Sequence, residues 1–168
     1  MEKRVPYGFI ERTHGLNGRI ILKLFVFGPA EPLEEGTILY AGDRILTVTR
    51  SRKRDNERVT VDCSELWKKA QAAELVGEAV EVDVDRVLKP GFPMPVYAFT
   101  QFIVVSCGKK YPVEEVEYNN SNPQLIVKGD RGVFPIPLNL VLTGKVDSAD
   151  RTIEVDLPDG LEELYNPL

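Results

Sequence analysis

His14 is the single histidine of the chain, and it opens a glycine-rich turn, His14-Gly15-Leu16-Asn17-Gly18. An imidazole in such a place has the chemistry of a general base. Catalysis of that kind needs a nucleophile or an orienting carboxylate beside the base, and the sequence shows no recognisable pattern that supplies one. The sequence therefore favours a turn-stabilising or surface histidine over a catalytic one.

A second group with the chemistry of acid–base catalysis is the acidic run that contains Glu114, Glu115 and Glu117. Alternation along a strand places Glu115 and Glu117 on one face, which is typical of a solvated surface. The chain also lacks a phosphate-cradling glycine loop and a dinucleotide-binding fingerprint. We therefore predict no catalytic carboxylate pair and no cofactor.

The two cysteines, Cys63 and Cys107, belong to no Cys-x-x-Cys pair. Together with one histidine they do not make the ligand spacing of a metal site. Both have apolar neighbours, so we predict two small buried side chains rather than a disulfide.

The basic stretch 50–58 is more informative. Alternation predicts that Arg50, Arg52 and Arg54 share one strand face with the apolar Leu46 and Val48. A projecting basic hairpin contacts phosphates without reading sequence. The candidate RNA contacts are Arg50, Arg52, Lys53 and Arg54. The alternative is a solvated tip that Asp55 and Glu57 partly neutralise.

The formal net charge of -5 is unevenly distributed. Residues 1–90 carry 15 basic and 15 acidic side chains, whereas residues 91–168 carry 6 and 11. An acidic half is a poor ligand for phosphates, but it suits a basic protein partner. The alternative is that the acidic side chains of this half serve solubility alone. No apolar run approaches a membrane span and no signal-peptide pattern is found, so we expect a cytoplasmic protein.

The elements that must position these groups are mostly short strands. Asn17-Gly18 between apolar runs predicts a hairpin, and further strands at regular spacing predict a small barrel. One helix is expected over 64–75, with Ser64 as its N-cap and Leu66, Ala70 and Ala73, with Trp67, on one face. The alternating stretch 78–85 predicts a half-buried strand with Val80, Val82 and Val84 facing inward.

Prolines at positions 90, 93 and 95 predict a linker, because proline neither donates ladder bonds nor continues a helix. We place an N-terminal barrel at 1–88, the linker at 89–96 and a second β domain at 97–168. In that second domain, the stretches 125–128 and 133–136 are predicted to pair across Gly129–Gly132, and 138–142 to form a helical turn.

Several segments, taken in order, resemble the RimM family of bacterial ribosome maturation factors. They are His14-Gly15-Leu16-Asn17-Gly18, the Ala-Glu-Leu-Val-Gly of 73–77, the Val-Phe-Pro-Ile-Pro of 133–137 and the closing stretch 146–161. The resemblance implies a mainly β protein with an N-terminal six-stranded barrel like those of elongation factors, a C-terminal PRC-type barrel and one short helix.

The resemblance also implies function. Such proteins bind the immature small ribosomal subunit and promote maturation of its head and processing of its rRNA, without being enzymes. Their partner is the nineteenth small-subunit ribosomal protein, a basic protein, and the acidic half of this chain fits that expectation. We expect Tyr97, Phe99 and Phe102 to bind that protein, and His14, Gly15, Leu16 and Gly18 to form a structural motif.

The chain departs from the family in two places: Phe27-Gly28-Pro29 replaces a Thr-Asp pair, and Val96-Tyr97 stands where two tyrosines are usual. We expect a monomer with no cofactor and no membrane contact. Two alternatives stay open. One is an enzyme that uses His14 in a cleft between the barrels, and the other is a PRC-barrel module that binds a different protein.

Overall fold

The computed structural model describes residues 3–87, 94–118, 123–141 and 143–167. The chain divides into two compact units, Met1–Tyr97 and Ala98–Leu168. Both units are built mainly from strands, which confirms the predicted fold class. Within the described residues, no helix has the length and apolar character needed to cross a membrane.

The first unit contains eight strands and two short helices among its described residues. The strands are β1 Arg4–His14, β2 Arg19–Leu24, β3 Val26–Phe27, β4 Ile38–Ala41, β5 Arg44–Lys53, β6 Arg58–Cys63, β7 Ala79–Asp83 and β8 Met94–Pro95; the helices are α1 Lys69–Ala73 and α2 Val84–Val87. A 3-10 helix follows at Val96–Gln101.

Six of these strands close into an antiparallel barrel in the order β1-β2-β6-β5-β4-β7. Alternation along the strands produces the core: Ile20 and Leu22 of β2 face Val61 and Val59 of β6, and all four are fully buried. The predicted six-stranded barrel is confirmed. The predicted linker 89–96 lies mostly outside the described residues, and its described end includes β8, which pairs with β3.

The predicted helix 64–75 is shorter than expected, because the barrel fixes its first residues in another conformation. The Ser64 N–H donates to the Thr47 carbonyl at 3.0 Å, and the Leu66 N–H donates to the Cys63 carbonyl at 3.1 Å. Helix α1 therefore begins after Lys68, and the side chain of Gln71 accepts hydrogen bonds from the N–H groups of Trp67 and Lys68 just before it. Its buried face also differs, since Ala72 is buried whereas Ala70, Ala73 and Trp67 are exposed.

The predicted alternating strand is shorter than expected as well. Strand β7 ends at Asp83, and helix α2 begins at Val84. The inward positions are as predicted, because Val80, Val82 and Val84 are all buried.

The second unit is a six-stranded sheet with two short helices among its described residues. The strands are β9 Ile103–Ser106, β10 Lys109–Glu117, β11 Gln124–Lys128, β12 Val133–Pro137, β13 Lys145–Asp147 and β14 Thr152–Glu154; the helices are α3 Leu138–Val141 and α4 Leu161–Tyr165. The strand order is β12-β11-β10-β9-β14-β13, and only the pairing of β14 with β9 is parallel among the described pairs. The predicted β11–β12 hairpin and the helical turn α3 are confirmed.

Helix α4 holds the β11–β12 turn through a carboxylate that the sequence did not reveal. Glu162 is 8% exposed, and it accepts a hydrogen bond of 2.8 Å from the Arg131 N–H. A Cβ on Gly129 would collide with this carboxylate. The Asn166 side chain donates to the Val133 carbonyl at 2.8 Å. The acidic tail is therefore part of the folded second unit.

The prediction of two buried cysteines is wrong for Cys107. Cys63 is buried in the barrel, and this burial raises the pKa of its thiol to about 12. Cys107 is exposed, because it lies in the tight turn between β9 and β10, where it has a φ of +51° and Gly108 a φ of +79°. Two successive positive φ angles are typical of the two-residue turn that joins the strands of a hairpin.

We expect the native protein to react with one equivalent of iodoacetamide at mildly alkaline pH, at Cys107 alone. The thiolate is the reacting form, and a thiol with a pKa of about 12 supplies almost none of it. Peptide mapping by mass spectrometry measures the modified position. Denaturant should make Cys63 react as well, and alkylation of Cys63 in the folded protein would contradict the prediction.

Candidate binding surfaces

The β5–β6 hairpin carries the predicted basic residues, and its register differs from simple alternation. A β-bulge between Val48 and Arg50 shifts the pairing by one residue. After the bulge Ser51 pairs with the buried Val61, so Arg50 and Arg52 point to the outer face of the barrel. The prediction that they share a face with Leu46 and Val48 is wrong, because the extra residue of a bulge reverses the alternation.

The bulge also separates Lys53 from the neighbouring arginines. Lys53 pairs with the buried Val59, and its ammonium lies 3.6 Å from the Glu31 carboxylate. Arg50 and Arg52 face Asp62 and Thr60 instead. Of the four candidate RNA contacts, Lys53 is therefore oriented away from the others and already paired.

The acidic residues of the hairpin tip are paired with a different cation, Arg58. Its guanidinium lies 3.0 Å from Glu11, 3.2 Å from Asp55 and 3.7 Å from Glu57. The backbone N–H of Glu57 donates to Asp55, and this hydrogen bond is the main cause that holds the pKa of Asp55 below its usual value. The acids at the tip therefore neutralise Arg58 and leave the arginines at 50, 52 and 54 without an ion pair in the described chain.

We call Arg50, Arg52 and Arg54 the arginine stripe. All three are exposed. Asp62, the acid opposite Arg50, is engaged by Arg19 through two hydrogen bonds of 2.8 and 3.1 Å. The stripe thus presents guanidinium groups to solvent on one side of the barrel, which is the arrangement that phosphate contacts require.

The glycine-rich turn joins β1 to β2 at one end of the barrel. His14 ends β1 and is exposed, and within the described chain its imidazole forms no hydrogen bond or ion pair. Gly18 has a φ of +77°, and an ideal Cβ there would lie 2.7 Å from the carbonyl carbon of Leu66. Gly15 has a similar φ of +76° in open space, and Leu16 projects into solvent. This arrangement gives Gly18 an architectural role and assigns no chemistry to His14.

The three predicted aromatic contacts have different environments. The Tyr97 ring is half-buried and meets the Phe25 ring edge-to-face, with centroids 5.7 Å apart. Phe99 is 0% and Phe102 is 2% exposed, and their rings meet edge-to-face at 5.3 Å. This burial argues against direct contact of Phe99 or Phe102 with a partner. Tyr97 alone of the three presents ring surface to solvent.

These features define a class of protein before any comparison: a mainly β chain of two units that exposes a row of arginines and several large apolar side chains. Among the described residues, no group of three or more His, Cys, Asp or Glu side chains could hold a metal ion. The sequence located the basic hairpin and the glycine turn, but it missed the exposed Trp67, because that residue was expected on the buried face of a longer helix.

Comparison with known proteins agrees with the resemblance inferred from the motifs. The chain is 25% identical over 167 residues to the ribosome maturation factor RimM of Acidothermus cellulolyticus, covering 96% of this chain and 94% of that protein. It is 23% identical over 174 residues to the ribosome maturation factor RimM of Fervidobacterium nodosum, covering 96% of both. The suspected similarity to RimM proteins is therefore confirmed over nearly the whole chain.

A solved structure is also similar, the crystal structure of a 16S ribosomal RNA processing protein RimM from Pseudomonas aeruginosa. It has a TM-score of 0.40 and 16% sequence identity, and the match covers 93% of this chain and 98% of that chain. No family model matches the sequence.

Proposed function

We propose that this protein is a ribosome maturation factor that takes part in processing of the small-subunit rRNA. The observation that carries the proposal is the similarity to two proteins named as ribosome maturation factors, which extends over 96% of the chain. The motif order found in the sequence supports the same conclusion. The factor acts by binding: it stabilises one intermediate of the particle through its higher affinity for that state.

The second unit binds a basic protein of the subunit head, the nineteenth small-subunit ribosomal protein. Its support is the charge of residues 98–168, which carry 11 acidic and 6 basic side chains. Complementary charge accelerates association and orients the partners, while an aromatic side chain supplies the anchor. A separate candidate contact is Tyr97, the last residue of the first unit, because its side chain is half-buried against Phe25 and partly exposed.

The first unit contacts rRNA through the arginine stripe. The ion pairs around the hairpin support this RNA contact. The nearby carboxylates bind Arg19 and Arg58, so they do not neutralise the arginine stripe. Such contacts position the factor on the particle without reading sequence. A catalytic role has less support, because His14 has no partner group within the described chain.

The replacement Tyr97→Ala is expected to weaken binding of the purified head protein by roughly thirtyfold, the effect of losing a typical aromatic anchor. Tyr97→Phe is the matched control, because it keeps the ring that meets Phe25 and should retain most of the affinity. Titration calorimetry measures the affinity, and thermal unfolding verifies that both variants fold. Equal affinity of Tyr97→Ala and the unchanged protein would contradict the anchor role.

The proposed function as a whole is tested by co-sedimentation of the full chain with immature small subunits, taken from cells that lack their own maturation factor. We expect the chain to bind immature subunits in preference to mature ones and to restore rRNA processing in those cells. A chain that binds neither particle, or that converts a small-molecule substrate without binding subunits, would refute the proposal.

A further inference from the structure

The first unit exposes two large apolar side chains at one end of its barrel. Leu16 is 78% exposed and Trp67 is 63% exposed. The two segments that carry them are in direct contact. The Leu16 carbonyl accepts a hydrogen bond of 3.2 Å from the Lys69 N–H, and Gly18 lies against the backbone of residues 66–67. We call Leu16 and Trp67 the end platform.

The backbone beneath the platform is fixed although the side chains are exposed. The Trp67 N–H donates to the Gln71 side chain at 2.9 Å, and the preceding Leu66 is buried at 3% exposure. An exposed indole therefore extends from a segment that is anchored on both sides. Pre-organisation of this kind lowers the ordering cost of binding a ligand.

The charges around the platform favour an anionic ligand. Lys68 and Lys69 adjoin Trp67 in the chain and are exposed, and His14 begins the turn that carries Leu16. The nearest acids in sequence are engaged elsewhere: Asp62 binds Arg19, while the Glu65 carboxylate accepts hydrogen bonds of 2.6 and 3.0 Å from the Thr47 N–H and hydroxyl. The platform is therefore an aromatic and apolar surface beside two cations.

We propose that the end platform binds an unpaired nucleobase of a single-stranded RNA segment. The indole of Trp67 stacks on the base, Leu16 covers its edge, and Lys68 and Lys69 contact the flanking phosphates. Aromatic side chains combined with a positive surface are the usual means of binding single strands, because every base has a face that stacks.

The arginine stripe begins near the same end of the barrel. Arg50 faces Asp62 across the β5–β6 ladder, and Asp62 lies five residues before Trp67 in the chain. Arg19, which binds Asp62, directly follows Gly18 of the turn. A strand that stacks on the platform can therefore continue along the stripe. The inference rests on the proposed rRNA contact and deepens it by naming unpaired bases as the ligand.

Trp67 is the single tryptophan of the chain, so its fluorescence reports the platform directly. The probe is a single-stranded RNA oligonucleotide of about 10 nucleotides, compared with a blunt RNA duplex of the same length. We expect the single strand to quench the fluorescence saturably and the duplex to quench it much less. By fluorescence anisotropy of a labelled single strand, Trp67→Ala should lower the affinity by about five- to hundredfold, the usual effect of losing one stacked base.

Two further variants separate stacking from general changes of the surface. Trp67→Phe keeps an aromatic ring and should lose less affinity than Trp67→Ala. Ile45→Ala removes another exposed apolar side chain of the same unit, 57% exposed, and should leave the affinity unchanged. Equal affinities of Trp67→Ala and Ile45→Ala would overturn the proposal, as would quenching by the head ribosomal protein but not by RNA.

Co-sedimentation with immature small subunits distinguishes this inference from the proposed function. If the unchanged protein and Trp67→Ala sediment equally well with the particle and the single strand causes no quenching, the platform proposal fails while the proposed function stands. If the oligonucleotide quenches Trp67 but the chain never binds subunits, the proposed function fails while the platform stands.

Discussion

Replacing the three arginines of the stripe by serine is expected to weaken RNA binding strongly and to reduce its dependence on salt. Removing a single phosphate contact lowers the slope of log affinity against log salt concentration by about 0.7 to 1, so the triple variant should have a slope smaller by about 2 to 3 units. The weakening should be uniform across RNA sequences, because phosphates carry no sequence information. Binding titrations at several salt concentrations measure the slope.

The matched control for the stripe is Lys53→Ser. Lys53 lies within the same basic stretch, but the bulge directs it toward the face of Val59, and its ammonium pairs with Glu31. We expect this variant to keep the salt slope of the unchanged protein. If Lys53→Ser and the triple variant reduce the slope equally, the outer-face position of the arginines does not determine RNA binding. If neither reduces it, the hairpin tip is a solvated surface.

Gly18→Ala is expected to decrease the stability of the first unit substantially. Its φ of +77° costs a side-chain-bearing residue roughly 1–2 kcal/mol. The new Cβ would also lie 2.7 Å from the Leu66 carbonyl and 3.0 Å from the Trp67 nitrogen, backbone atoms that the barrel holds in place. Displacing them adds about 1–3 kcal/mol, so the free energy of unfolding should fall by about 2–5 kcal/mol.

Gly15→Ala separates these two causes, because Gly15 has nearly the same φ of +76° and no atom within 4 Å of its Cβ position. Its free energy of unfolding should fall only by the conformational part, about 1–2 kcal/mol. Chemical denaturation followed by circular dichroism gives both values. Equal decreases in the two variants would show that the contact of Gly18 with residues 66–67 contributes nothing.

The sequence predicted those elements whose cause is local. Asn17-Gly18 between apolar runs predicted the first hairpin, and the alternation of 78–85 predicted three buried valines. The β11–β12 hairpin was likewise visible from two apolar strands that flank a glycine-containing turn. In each case the signal lies in neighbouring residues, since side-chain periodicity and the φ preferences of glycine act over a few positions.

Contacts between distant segments decided the features that bear on binding. The bulge that directs Arg50 and Arg52 outward arises from pairing with β6, and the burial of Phe99 and Phe102 arises from tertiary packing. Helix α1 is short because Ser64 and Glu65 bind Thr47, 17 or 18 residues earlier, and this leaves Trp67 exposed. The sequence determined which strands form and where the cations lie along the chain. Only the tertiary structure decided which side chains reach solvent, because register and burial depend on partners that local periodicity does not encode.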